Sequence, residues 1–128
     1  MGALAAARHE LVVALQGAEG VPRVYEVMPQ TFRGPCVIFA PGDPWIEPVG
    51  PRGVGVVTYK VRVISGAGNN VGAMNSLVDL VEATWDAIHA APTWIPGTVE
   101  PITFVLDSGT SYTAADITVS NTIRTITN

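Results

Sequence analysis

A glycine-rich turn is the first place in this sequence where residue types and spacing could do chemistry. Gly66, Gly68 and Gly72 follow a long apolar segment and precede an amphipathic one, as the glycines of a dinucleotide-binding fingerprint do. Their spacing is one residue too long for that fingerprint, and the next apolar segment does not end in an acidic residue that would hold a ribose. We therefore interpret the glycines as a flexible strand-to-helix turn and predict no nucleotide or other cofactor.

Metal binding and acid–base chemistry would depend on His9 and His89, the only histidines in the chain. A metal site usually needs three or four ligands at short spacing, and only Glu10 and Asp86 lie near these two. Asp86 and His89 are three positions apart, so they could touch on one helical face as a solvated pair near a helix end. The sequence predicts no metal site.

Nucleophilic catalysis has equally little support. The single cysteine, Cys36, excludes an intrachain disulfide and lies in the apolar run CVIF, where we expect a buried and inert thiol. Ser108 and Ser111 fall in a predicted turn, where serine hydrogen-bonds to the backbone, and no G-x-S-x-G motif is present. The chain is not predicted to be an enzyme.

The elements that would position these residues form one α+β domain, 1–128. Hydrophobic periodicity predicts two helices, over residues 2–17 and 70–90, and five strands, over residues 23–28, 35–40, 54–65, 98–107 and 112–126. Short connections favour a mainly antiparallel sheet with both helices packed on one face, in the order α-β-β-β-α-β-β. Residues 41–53 contain four prolines and three glycines, so we expect an irregular loop that is mobile or binds a partner.

Two stripes run along the helix predicted over residues 70–90, which Asn69 or Asn70 would cap. The apolar stripe is expected to face the core, and it comprises Met74, Leu77, Val78, Val81, Trp85 and Ile88. The acidic stripe, formed by Asp79, Glu82 and Asp86, is either a solvated face or a surface that faces basic groups of a partner or repels DNA.

Composition points toward contacts between subunits. The 128 residues are 48% hydrophobic and only 14% charged, and the mean hydropathy is +0.33. A small chain with so high an apolar content is expected to bury part of its surface against other subunits. The net charge of −4 disfavours tight binding of nucleic acid through its phosphates. We read no signal peptide and no membrane span, and expect the protein in a reducing cytoplasm or in something assembled there.

Two tryptophans lie outside the predicted regular elements. Trp45 is in the segment rich in proline and glycine with Asp43 and Ile46, and Trp94 precedes Ile95 between two prolines. These five residues are the candidate subunit or partner interface, because tryptophan is favoured at binding hot spots. The alternative is that both tryptophans fold back onto the core.

The order of these segments resembles one protein class over nearly the whole chain. The segments are ARHELVVALQG, PGDPW after an apolar strand, YKVRVISGAGNN, SLVDLVEATWDAI and SYTAADITVSNTIRT. Together they are similar to the tail terminator proteins of long-tailed phages, especially those of actinobacteria. The resemblance implies a mainly antiparallel sheet with two helices and a hexameric ring of identical subunits. It also implies a place in the virion, where the ring caps the tail tube, stops polymerisation of the major tail protein and meets the neck proteins of the head–tail connector.

DNA would pass through the ring without specific binding, so we expect a neutral or acidic lumen, with Asp79, Glu82 and Asp86 facing either the lumen or a partner. A bore lined by Arg52, Lys60 and Arg62 would contradict this. Three alternatives stay open: a head-closure or adaptor protein of the neck, a small-ligand or enzymatic domain on a similar sheet, and a nucleic-acid binder, which the charge disfavours.

Overall fold

The structure is a computed structural model that describes residues 2–27, 35–50, 52–67, 71–91, 93–105 and 109–124. It is an α+β fold with the predicted order of elements. The helices and strands are α1 (Ala3–Gln16), β1 (Arg23–Tyr25), β2 (Cys36–Pro48), β3 (Val54–Ala67), α2 (Val71–Ala90), β4 (Ile95–Val105) and β5 (Ser111–Arg124). The suggested caps Asn69 and Asn70 and the turn residue Ser108 lie outside the described residues.

The five strands form one sheet in the order β1-β2-β3-β5-β4. Three of its pairings are antiparallel, and only the short β1 runs parallel to its neighbour β2. Because β3 occupies the centre, its alternate side chains define the two faces of the sheet. Val57, Tyr59, Val61 and Val63 point toward the helices, as the alternation predicts.

Both helices pack on that one face, and the main core lies between them and the sheet. α1 contributes Leu11, Val12 and Leu15, which the sequence places on one stripe. A smaller apolar cluster lies on the opposite face, at the end of the sheet where β2 begins, and comprises Cys36, Ile38, Ile64 and Ala114. The middle of that opposite face is polar.

The prediction of an irregular loop from residue 41 is wrong for residues 41–48. β2 continues to Pro48, and its outer part pairs with β3 from Ile46↔Val57 to Pro48↔Gly55. A register shift between Pro41 and Ile46 absorbs the residues that cannot join a regular ladder. Prolines are tolerated here because proline, which lacks an N–H group, is found on edge strands and at bulges.

Gly42 makes this irregularity possible through its close approach to β3. A Cβ atom at position 42 would lie 2.7 Å from Thr58 Cγ2 and 2.8 Å from the Thr58 carbonyl oxygen. Gly42→Ala should therefore push the strands apart and lower the free energy of unfolding by about 1–3 kcal/mol in urea denaturation. Gly66→Ala is the matched control in β3, because nothing lies within 4 Å of its added Cβ. Equal stabilities of the two variants would contradict the prediction.

The buried side of α2 is rotated away from the predicted apolar stripe. Leu77 and Ile88 are buried as predicted, but Met74 and Val78 are exposed, Val78 by 55%. Thr84 is buried instead, and its hydroxyl donates a hydrogen bond to the Leu80 carbonyl at 2.7 Å. The rotation has a physical reason: α2 packs on α1 as well as on the sheet, and only its small side chains permit that close approach.

Candidate functional site

The hairpin end formed by residues 41–50 and 52–57 presents apolar side chains to solvent. Trp45 and Ile46 are 42% and 45% exposed, and Asp43 beside them is exposed too. The Trp45 ring meets Tyr59 edge-on, with 6.2 Å between centroids. Ile46 also lines a mainly apolar pocket of about 250 Å³, together with Leu4, Pro48, Gly53, Val54, Gly55 and Ile123. Three of the five candidate interface residues thus lie at the surface in one place.

Trp94 belongs to the core, which is the alternative that the sequence analysis left open for this residue. Its side chain is 3% exposed, and its Nε1–H donates a hydrogen bond to the Ala7 carbonyl at 3.1 Å. Its ring meets Tyr59 edge-on at 6.1 Å. The placement of Trp94 in an interface is corrected accordingly, because this ring joins α1 to the sheet. Its neighbour Ile95 points outward and is 65% exposed.

The rotation of α2 leaves an apolar strip in the first half of that helix. This strip, which we call the α2 strip, comprises Val71, Met74 and Val78, all exposed. Met74 also lines a pocket of about 200 Å³ with residues of β4 and β5, among them Pro101, Ile102 and Tyr112. The α2 strip is a surface that the sequence analysis missed, because it assigned Met74 and Val78 to the core.

An acidic groove runs beside the α2 strip, between α2 and the C-terminal end of α1. It holds about 490 Å³, and its acidic residues are Glu19, Asp79, Glu82 and Asp86, above a floor of Ala18, Ala83 and Ala87. All four carboxylates are exposed, and none of the described residues that line the groove is basic. The predicted acidic stripe is therefore one wall of a concave surface, and Glu19 is the member that periodicity along α2 could not show.

The side of the sheet away from the helices is the open sheet face. At its centre are Thr58, Lys60 and Arg62 of β3 and Asp116, Thr118 and Ser120 of β5, and all but Asp116 are partly exposed. Arg62 and Asp116 form a two-pronged ion pair, with Nε to Oδ1 at 2.8 Å and Nη2 to Oδ2 at 3.1 Å. Asp116 is only 7% exposed. No salt bridge involves Lys60 within the part of the chain that the structure describes.

The two histidines lie in separate, ordinary environments. His9 Nδ1 is 3.3 Å from Glu26 Oε1, and Arg8 donates to the same carboxylate. His89 Nδ1 lies 3.0 Å from the Trp85 carbonyl oxygen, and its ring meets Trp85 at 4.6 Å. Among the described residues, no three His, Cys, Asp or Glu side chains gather as metal ligands.

Cys36 is fully buried in the smaller apolar cluster, as expected. Burial raises the pKa of the Cys36 thiol from 9.0 to about 11. The thiolate, which is the reactive form, is therefore about a hundredfold scarcer near pH 8 than at an exposed cysteine. We expect iodoacetamide to label the native protein only as the pH approaches that raised pKa, and to label it completely in concentrated urea. Rapid labelling of the native protein near neutral pH would contradict the burial of this thiol.

The comparisons with known proteins add no relatives. The sequence matches no protein-family model, and a search of curated proteins finds no similar one. Across the described ranges, neither helix is long and apolar enough to cross a membrane.

Proposed function

We propose that this chain is a structural virion protein, a phage tail terminator that assembles into a closed hexameric ring. The observation that carries the proposal is the presence of two different exposed apolar surfaces, the hairpin end with Trp45 and Ile46 and the α2 strip. β3 begins in the hairpin end and finishes just before α2, so the two surfaces lie near opposite ends of a strand of 14 residues. Ile46 pairs with Val57, and Tyr112 beside Met74 pairs with Ala67, so about ten residues of β3, or roughly 30 Å at the usual rise, separate the two surfaces.

Two unlike surfaces at opposite ends favour head-to-tail association. A symmetric dimer uses one patch twice, whereas a ring needs two different patches on each subunit, so that every subunit binds a neighbour on either side. The exposed tryptophan suits such a contact, because tryptophan is enriched at binding hot spots. The surface chemistry and the resemblance of the sequence to tail terminators thus support the same kind of assembly.

In this role the ring would cap the finished tail tube and stop the major tail protein from adding further layers. Its other face would meet the neck proteins of the head–tail connector, and DNA would pass through the lumen. A lumen that is neutral or acidic lets DNA slide, since lysine and arginine side chains would bind the phosphates. No step of this role needs a cofactor or catalysis.

Electron microscopy of the purified protein and of its mixture with the cognate major tail protein tests the proposal. We expect six-fold rings from the protein alone, and shorter tail tubes with a ring at one end in the mixture. Rings that leave tube length unchanged but bind the connector would instead support the head-closure or adaptor alternative. A protein that stays monomeric at high concentration, without affinity for tail or neck components, would overturn the proposal.

A further inference from the structure

The acidic groove and Lys60 lie on opposite sides of the sheet. The acidic groove carries four carboxylates on the helix side, and none of them takes part in a salt bridge within the described residues. Lys60 lies at the middle of the central strand on the open sheet face, flanked by Thr118 on β5 and Ala40 on β2. Because α1 and α2 cover only one face of the sheet, the two charged surfaces of one subunit cannot meet each other.

Other charges on the open sheet face are balanced or lie toward its margins. The neighbouring Arg62 is paired with Asp116. Among the described strand residues, those whose register places them on this side are Arg23 and Arg124, which add positive charge, and Glu47 and Glu100, which add negative charge. These four charges balance, and Lys60 lies at the centre of this side among threonine and serine side chains.

Contacts through sheet edges are hindered, which leaves the faces for association. The outer strand β4 contains Pro96 and Pro101, and the exposed part of β2 contains Pro41, Pro44 and Pro48. Proline cannot donate a hydrogen bond to an added strand, and prolines at such edges prevent pairing with another chain. At the other edge of the sheet, β1 has only 3 residues, and so short a strand offers little for another chain to pair with. A continuous sheet across subunits is therefore disfavoured.

We propose that the open sheet face of one subunit binds the acidic groove of a second copy of this chain, with Lys60 among the carboxylates of Glu19, Asp79, Glu82 and Asp86. Charge complementarity identifies the partner. The four carboxylates repel one another while the groove is open, and a cation from a neighbour relieves that repulsion. The contact joins two different surfaces on opposite sides of the subunit, so it propagates head to tail and can close into a ring.

This inference rests on the proposed ring and deepens it by adding a charged contact to the apolar surfaces named there. It also places Lys60 and Arg62 in the subunit contact rather than along the bore, and it gives the acidic stripe a partner rather than a lumen to face. The α2 strip lies beside the acidic groove on the same helix, so one docking event covers apolar and charged surface together.

Charge reversal with rescue tests the proposal by sedimentation velocity. The first variant is Lys60→Glu, and the second combines Glu82→Lys with Asp86→Lys. We expect each to weaken association at least tenfold, so that it sediments as a monomer where the wild type forms rings. A chain that carries all three substitutions should form rings again, because the charges match once more. Added salt should weaken the wild-type rings, since dissolved ions screen the attraction between Lys60 and the carboxylates.

Mixing the two variants gives a result that only a head-to-tail contact explains. Lys60 of the groove variant matches the unchanged acidic groove of the Lys60→Glu subunit, and the new carboxylate of that subunit matches the reversed groove of the other. Both contacts between unlike subunits are therefore matched, so we expect equimolar mixtures to form rings of alternating subunits although neither variant forms rings alone. The control Glu10→Lys makes the same charge change as each groove substitution but lies away from both surfaces, so it should leave the rings intact.

The outcomes separate this inference from the proposed function. If the wild type forms rings and both charge variants form the same rings, the surfaces named here are wrong while the ring stands. The same conclusion follows if the chain with all three substitutions stays monomeric although thermal unfolding shows that it is folded. If the wild type never associates, the ring and this contact are both overturned.

Discussion

Replacing Trp94 by alanine is expected to lower the free energy of unfolding of the subunit by about 3–5 kcal/mol. The indole is almost completely buried, meets the Tyr59 ring and donates a hydrogen bond to the Ala7 carbonyl in α1. Its removal leaves a cavity at the junction of α1 and the sheet and discards these contacts. Since a domain of this size is stable by about 5–15 kcal/mol, the loss is a large part of the total. Thermal and urea unfolding of the variant measure it.

Two further variants separate the hydrogen bond from the packing and the core from the surface. Trp94→Phe keeps an aromatic ring but loses the indole donor, so we expect a smaller loss than for alanine. Trp45→Ala should change the stability of the subunit by about 1 kcal/mol or less, because Trp45 is half exposed, yet it should weaken ring formation strongly. If Trp94→Ala unfolds no more easily than Trp45→Ala, the assignment of Trp94 to the core is wrong.

These two tryptophans show where sequence reasoning stops. Each is flanked by prolines and glycines, and nothing local distinguishes the ring that packs inward from the one that stays at the surface. The difference comes from α1. The Ala7 carbonyl, which accepts the hydrogen bond from the Trp94 indole, lies 87 residues away along the chain. Such a partner is fixed only once the helices are placed on the sheet.

The fold class was predictable because it depends on periodicity within single elements. The apolar positions of β3 and the stripe of α1 recur at strand and helix spacing, and the structure has them buried. Periodicity could not predict the rotation of α2. That helix packs against both α1 and the sheet, whereas a single apolar stripe predicts packing against one element only. The extension of β2 past Pro41 was also hidden, because local composition favours a loop while pairing with β3 favours a strand.

The candidate surfaces combine predictable and unpredictable parts in the same way. Alternation placed Lys60 and Arg62 on one side of their strand, and helical spacing placed Asp79, Glu82 and Asp86 together. Neither pattern showed that Glu19, in the turn after α1, completes the groove or that the two charged surfaces lie on opposite sides. The groove depends on how α1 packs against α2, and the separation of the charged surfaces depends on both helices lying on one face of the sheet.

The ion pair between Arg62 and Asp116 leads to the second strong prediction. These residues are 54 positions apart and face each other in the β3–β5 register, so the pair exists only if the two strands align as they do. Arg62→Met leaves the nearly buried Asp116 carboxylate without its partner. We expect the free energy of unfolding to fall by about 2–3 kcal/mol, below the full cost of a broken buried pair, because solvent reaches the quarter-exposed Arg62 side chain.

The loss should depend on which partner is removed. Asp116→Asn leaves the arginine, which can still reach water, so it should cost less than Arg62→Met. Combining Arg62→Met with Asp116→Val should recover much of the stability, because an apolar pair on adjacent strands leaves no charge uncompensated. Urea unfolding of the wild type, Arg62→Met, Asp116→Val and the double variant closes a double-mutant cycle and measures the coupling, at concentrations where the subunit is monomeric.

Lys60→Met is the matched control for this cycle. Lys60 lies on the same face of β3, two residues from Arg62, but takes part in no salt bridge among the described residues, so its removal should change stability by about 0.5 kcal/mol or less. The two cations therefore differ in role: Arg62 holds β3 to β5 within one subunit, while Lys60 remains available to a neighbour. If Arg62→Met costs no more than Lys60→Met, the ion pair does not stabilise the sheet, and the two cations cannot be separated in this way.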